Sequence, residues 1–106
     1  MNIDKLCEQN GISTDFESKY QFICRKIGLD RIKKFLPREM WELKLAYKKD
    51  EHFNNIPIKE WNIASHWVVR ILVDELGITF LSLAEQVCIM KMAARMLIHE
   101  EEEQNG

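Results

Sequence analysis

The sequence predicts an all-α protein, a compact bundle of five to six helices packed around a hydrophobic C-terminal helix. Only four glycines and two prolines interrupt the 106 residues, and the apolar residues between them recur at the three- and four-residue spacing of a helix face. Hydrophobic residues make up 46% of the chain and charged residues 30%, a balance typical of folded globules. We expect one helical domain over residues 1–99. A frayed acidic tail should follow over residues 100–106, because its glutamates lie where the helix dipole is also negative.

Capping residues and glycines delimit the first two helices. Asn2 is predicted to cap a helix over Ile3–Gln9 that ends at Asn10-Gly11. A capping box at residues 14–17, led by Thr14, opens a second helix that ends at Gly28. The inward stripe of this second helix comprises Phe16, Tyr20, Ile23, Cys24 and Ile27.

The middle of the chain is predicted to contain two shorter helices. Asp30 is placed to cap a third helix over residues 31–36, and Pro37 then occupies the first turn of a fourth that continues to about Lys48. Residues 50–56 show no helical periodicity, so we expect a loop there. The inward stripe of the fourth helix comprises Leu36, Met40, Leu43 and Tyr47.

Two longer helices complete the prediction. A fifth is expected from Pro57 to Gly77, with Ser65-His66 as the one position where it could break. A capping box at residues 82–85 opens the last helix, which continues to about His99. The last helix has two apolar stripes: Leu83, Val87, Met90, Ala94 and Leu97, and beside them Ile89, Met92 and Met96.

A helix that is apolar over most of its circumference must be covered on several sides. The last helix is therefore either the centre of the bundle or part of a homodimer seam. We favour the central position because the other helices supply enough apolar faces to surround it.

Several classes of function lack their sequence signatures. The N-terminus does not resemble a signal peptide and no apolar run could span a bilayer, so we expect a cytoplasmic protein with no membrane partner. Cys7, Cys24 and Cys88 each lie on or beside an apolar face and are interpreted as buried thiols. The three histidines lie in separate elements without metal-ligand spacing, and there is no phosphate-binding loop or nucleophile elbow. We predict a protein that is not an enzyme and has no metal or cofactor.

The charge distribution is the most informative signal for function. Between Arg25 and Lys49 there are nine basic and three acidic residues, net +6, whereas the rest of the chain carries six basic and fourteen acidic residues, net −8. This basic segment could track the phosphates of nucleic acid, bind an acidic protein, or simply be a solvated face. The sequence pI of about 5.9 argues against a dedicated nucleic-acid binder. The candidate partner-binding residues are Arg25, Lys26, Arg31, Lys33, Lys34, Arg38, Trp41, Lys44, Lys48 and Lys49.

Three other features bear on binding. Trp41 and Trp67 fall off the inward stripes, so each is either a binding anchor beside cations or core on a second side. A helix-turn-helix over residues 63–90, turning at Gly77, is an alternative, but the start of its second helix lacks the polar side chains that read bases. The acidic tail is interpreted as solubilising, or as contacting the basic segment or a basic partner.

A loose pattern extends over three stretches: residues 27–32 with Pro37, residues 49–57 with Trp61, and residues 87–95. Together they resemble small proteins of phages and other mobile elements of Gram-positive bacteria. Those proteins have a glycine-containing interruption after the tryptophan, whereas residues 63–67 of this chain contain no glycine. The resemblance implies a mobile-element origin but no particular activity.

The leading hypothesis is a non-enzymatic helical interaction protein that binds a host or viral protein complex. An inhibitor of a host defence or replication enzyme, such as an anti-CRISPR protein, would suit its size. The alternatives are a nucleic-acid-binding protein that uses residues 25–38, and an oligomeric phage assembly subunit that associates through its C-terminal helix.

Overall fold

The computed structural model describes residues 1–105, which contain six α-helices and no β-strand. The prediction of an all-α bundle is therefore confirmed. In chain order the helices are α1 (Ile3–Gln9), α2 (Phe16–Ile27), α3 (Leu29–Lys33), α4 (Met40–Lys49), α5 (Ile58–Leu76) and α6 (Leu83–Asn105).

Helix α6 is the central element of the bundle, as predicted from its hydrophobicity. It packs against α5, α2, α3 and α4, so the apolar face that a homodimer seam would need is covered by the protein's own helices. The prediction that Leu83 faces inward is wrong. Leu83 lies in the first turn of α6 and is 56% exposed. The buried residues of α6 are Val87, Ile89, Met90, Met92, Ala93, Ala94, Met96, Leu97 and Ile98.

Most of the predicted helix ends are confirmed. The Asn2 side chain accepts a hydrogen bond of 2.8 Å from the Lys5 amide at the start of α1. At the start of α6, the Glu85 amide donates to the Ser82 hydroxyl at 3.1 Å and the Ser82 amide donates to the Glu85 carboxylate at 3.0 Å. These reciprocal bonds satisfy amides that have no partner within the helix.

Helix α5 is continuous through Ser65 and His66. The buried Ser65 hydroxyl donates to the Asn62 carbonyl at 2.8 Å, so the polar side chain is satisfied inside the helix rather than breaking it. The helix ends at Gly77, whose left-handed backbone (φ 67°) suits a residue without a Cβ.

The predicted starts of α2, α3 and α4 are wrong. Asp15, not Thr14, caps α2, because its carboxylate accepts from the Ser18 amide at 3.1 Å. Helix α3 begins directly after Gly28 and ends at Lys33, so Asp30 lies inside it rather than capping it. Pro37 lies in the connection before α4, not in its first turn.

The start of α4 has a physical explanation in the residues around Pro37. Proline suits the first turn of a helix, so Pro37 by itself does not prevent α4 from starting there. The next residue, Arg38, is held by two hydrogen bonds to Glu60 of α5. The backbone then reaches helical geometry only after Glu39, the N-cap, whose ψ of 154° is extended.

Helix α6 continues past its predicted end at His99 to Asn105. Glutamate is a good helix former, and the Lys44 ammonium lies 2.9 Å from the Glu101 carboxylate, which ties this end of α6 to α4. Fraying of the acidic end stays a prediction, and Gly106 lies outside the described residues.

Candidate interaction surface

The ten candidate residues from the sequence lie on three parts of the structure. Arg25 and Lys26 are in the last turn of α2. Arg31, Lys33, Lys34 and Arg38 belong to α3 and to the connection that follows it, whereas Trp41, Lys44, Lys48 and Lys49 belong to α4.

Three of these cations form ion pairs with carboxylates of α5 and α6. Arg31 makes two hydrogen bonds to Glu75, of 3.0 and 2.5 Å. Arg38 makes two to Glu60, of 2.9 and 3.0 Å. Such bidentate pairs fix the orientation of both side chains. The hydrogen bonds from Arg31 lower the pKa of Glu75, and those from Arg38 lower the pKa of Glu60.

The fold therefore cancels part of the charge asymmetry seen in the sequence. Arg31, Arg38 and Lys44 are each paired with an acidic residue that lies outside the basic segment. Within residues 1–105, the other six cations have no carboxylate within 4 Å: Arg25, Lys26, Lys33, Lys34, Lys48 and Lys49.

An aromatic pair links the α3–α4 connection to the outer face of α5. The rings of Phe35 and Trp67 are stacked with their centroids 6.1 Å apart and an interplanar angle of 20°. Trp67 is nevertheless 53% exposed, and Ile63, one turn earlier on α5, is 66% exposed. Phe35 thus covers part of the Trp67 ring, while the rest of this large apolar side chain stays at the surface.

Two adjoining depressions surround this pair, and both are lined by Lys34, Phe35 and Trp67. The first, of about 360 Å³, extends along α5 to Arg70. The second, of about 390 Å³, extends to Ile63. We call the surface formed by Lys34, Phe35, Ile63, Trp67 and Arg70 the aromatic groove.

Three residues of the aromatic groove are absent from the sequence-based candidates: Phe35, Ile63 and Arg70. Part of the signal was present in the sequence, since Ile63, Trp67 and Ile71 recur every four residues and form a second apolar face of α5. Only the fold shows that Phe35 lies against that face.

Helix α4 carries a separate exposed face. Trp41 is 64% exposed and Leu45 is 53% exposed, so the alternative that Trp41 or Trp67 forms a second core is wrong. Lys44 and Lys48 follow on the same side of α4, since residues three and four apart are neighbours on a helix surface. Trp41 does not line the aromatic groove, so the predicted site is divided between two surfaces.

The thiols are mostly sequestered. Cys7 and Cys24 are buried, as predicted, whereas Cys88 is partly exposed. Burial raises the pKa of Cys24 to about 12, and its thiol donates to the Ile89 carbonyl at 3.3 Å. A thiol in this state is a poor nucleophile.

The helix-turn-helix alternative conflicts with the position of α6. A recognition helix presents polar side chains at its exposed start. The exposed start of α6 carries Leu83 and Ala84, and the following turns are covered by other helices. The chain within residues 1–105 has no group of three or more metal-ligating side chains that could hold a metal ion.

None of the helices in the described part of the chain is both long enough and apolar enough to cross a bilayer. Comparison with protein-family models, curated proteins and solved structures found no match.

Proposed function

We propose that this protein is a non-enzymatic interaction protein that binds a protein partner through the aromatic groove. The observation that carries the proposal is the half-exposed Trp67, stacked on Phe35 beside the exposed Ile63. Single exposed apolar residues are common on protein surfaces, whereas contiguous exposed apolar patches mark interaction sites.

The residue type and the packing of Trp67 favour binding. Tryptophan is enriched among the residues that contribute most to protein interfaces. Because the Trp67 ring already packs on Phe35, part of its conformational freedom is lost before a partner covers it. The flanking cations Lys34 and Arg70 add polar contacts at the rim of the apolar surface.

In the cell, we propose that the protein is encoded by a mobile element and inhibits a host complex, as an anti-CRISPR protein does. A compact chain that presents one preorganised surface is suited to block a larger assembly. The genes that neighbour its own would test this role, since defence-system or phage-replication genes are expected there.

Site-specific photocrosslinking tests the proposed surface. A photoreactive phenylalanine analogue replaces Ile63 in the full chain, and a matched control carries it at Leu45 of α4, which is exposed to a similar degree. In cells of the native host, we expect a discrete protein crosslink from position 63 that disappears in a Trp67→Ala background. Equal crosslinking from both positions, or none from position 63, would overturn the proposal.

Nucleic-acid binding is the second candidate, favoured by the exposed and unpaired Lys33 and Lys34 next to an aromatic ring on which bases could stack. Fluorescence anisotropy with labelled single-stranded DNA and RNA tests it. Binding that weakens steeply with salt and is lost in a Lys33→Ala/Lys34→Ala variant would support this candidate.

A further inference from the structure

We infer that the aromatic groove takes a short acidic amphipathic helix of about two turns. This inference rests on the proposed function and adds the chemistry and length of the partner segment. Its basis is the arrangement of apolar and cationic side chains along α5 and the α3–α4 connection.

The apolar part of the groove sets the length of the segment. Ile63, Trp67 and Ile71 lie on one side of α5 at four-residue spacing, so they extend over about 12 Å of the helix axis. Phe35 lies beside the middle of this row through its stack with Trp67. A partner helix of two turns spans the same distance, and its own apolar side chains can enter the depressions on either side of Trp67.

The unpaired cations set the charge of the segment. Lys34 borders both depressions, and Arg70 lies three residues after Trp67 on the outer face of α5. Within residues 1–105 neither Lys34 nor Arg70 has a carboxylate within 4 Å, whereas Arg31 in the first depression is already paired with Glu75. Carboxylates beside the partner's apolar side chains would therefore meet available positive charge near the centre of the groove.

The ends of the groove favour a peptide over a nucleic acid. Asp74 and Glu75 line one end, and Glu60 lines the other. Glu75 and Glu60 are paired with Arg31 and Arg38, so Asp74 is the carboxylate of this lining with no cation within 4 Å in residues 1–105. A continuous phosphate backbone would pass Asp74, whereas a two-turn peptide can place its own carboxylates only beside Lys34 and Arg70. Ile63, 66% exposed, offers an aliphatic surface that suits an apolar side chain better than a stacked base.

A selection from a display library of random 14-residue helical peptides tests the inference on the full chain, with counter-selection on the Trp67→Ala variant. Enriched sequences are expected to carry apolar residues three or four positions apart, flanked by Asp or Glu. Enrichment of basic or uncharged peptides, or no enrichment over the variant, would overturn the inference.

A charge reversal provides the second measurement. For an enriched acidic peptide, we expect Trp67→Ala or Ile63→Ala to weaken binding about 30-fold or 10-fold respectively, as for central interface residues. The Lys34→Glu/Arg70→Glu double variant should no longer bind that peptide. It should instead bind a version of the peptide in which each Glu is replaced by Lys. Trp41→Ala is the control and should bind like the unmodified chain.

Labelled dT20 is measured on the same variants. If the chain binds dT20 more tightly than the enriched peptide, and Trp67→Ala abolishes the binding of dT20, the ligand of the groove is a single-stranded nucleic acid and the inference of an acidic helix is overturned. If position 63 still crosslinks to a protein in the host while the library yields non-acidic peptides, the proposed function stands and only the acidic helix is excluded.

Discussion

One chemical change at two positions separates the core from the proposed surface: Ile89→Ala in α6 and Ile63→Ala in α5. Ile89 is fully buried, so removing three of its carbons forfeits about 2.4 kcal/mol of transfer free energy at about 0.8 kcal/mol each. A cavity term adds to this. We expect Ile89→Ala to lower the free energy of unfolding by about 3 kcal/mol.

Ile63→Ala should behave differently because Ile63 is 66% exposed. Only about a third of the transfer term, about 0.8 kcal/mol, applies there. Alanine has a higher helix propensity than isoleucine, which offsets about 0.4 kcal/mol of this loss. The free energy of unfolding should therefore change by less than about 0.5 kcal/mol.

Urea denaturation followed by circular dichroism measures both values. With a slope of about 2 kcal/mol per molar urea, Ile89→Ala should lower the midpoint by about 1.5 M and Ile63→Ala by no more than about 0.25 M. Similar losses for both variants would mean that Ile63 is buried in solution, which would refute the assignment of its face as free to bind.

Three further outcomes follow from the helix ends. Gly77→Ala should lower the free energy of unfolding by about 1 kcal/mol in thermal denaturation, because a Cβ meets no atom there but disfavours the left-handed backbone; an unchanged melting temperature would contradict this. Ser82→Ala should cost about 1 kcal/mol through loss of the α6 cap, and a loss below about 0.3 kcal/mol would show that the cap contributes little. Hydrogen bonds with Ser13 and Ser18 lower the pKa of Asp15 to about 2. Since this pKa is depressed in the folded state, the stabilisation is present above about pH 4 and is lost as the pH falls towards 2. Asp15→Ala should reduce the pH dependence of stability in that window, and an NMR titration of Asp15 with a midpoint near 3.9 would contradict the prediction.

The sequence predicts the elements of this fold well where local signals act alone. The capping box at Ser82 and the glycine after α5 are local devices, and the structure has both where the sequence places them. The sequence also favours the central position of α6 over a homodimer seam, since the other helices supply enough apolar faces to surround so apolar a helix.

Local signals fail where two of them compete or where tertiary contacts decide. Thr14 and Asp15 are both good N-caps, and the choice between them depends on a single hydrogen bond to the Ser18 amide. Pro37 suits a first helical turn, yet α4 begins at Met40, and the residue between them that contacts α5, Arg38, bonds to Glu60 across 22 residues of chain.

The candidate surface is predicted only in part. The basic segment includes Lys34, but three of its cations are neutralised by carboxylates that are distant in sequence. The stack of Phe35 on Trp67 joins residues of two elements and has no counterpart in local periodicity. Charge counts along a chain therefore overestimate the charge that a folded surface offers to a partner.

The affinities of Trp67→Ala and Trp41→Ala for the partner crosslinked through position 63 test the proposed site. Both tryptophans are more than half exposed, and the chemical change is the same. We predict an affinity loss of about 30-fold for Trp67→Ala and less than about twofold for Trp41→Ala, corresponding to about 2 kcal/mol at a central interface residue. Equal losses, or a larger loss for Trp41→Ala, would show that the partner does not bind at the aromatic groove.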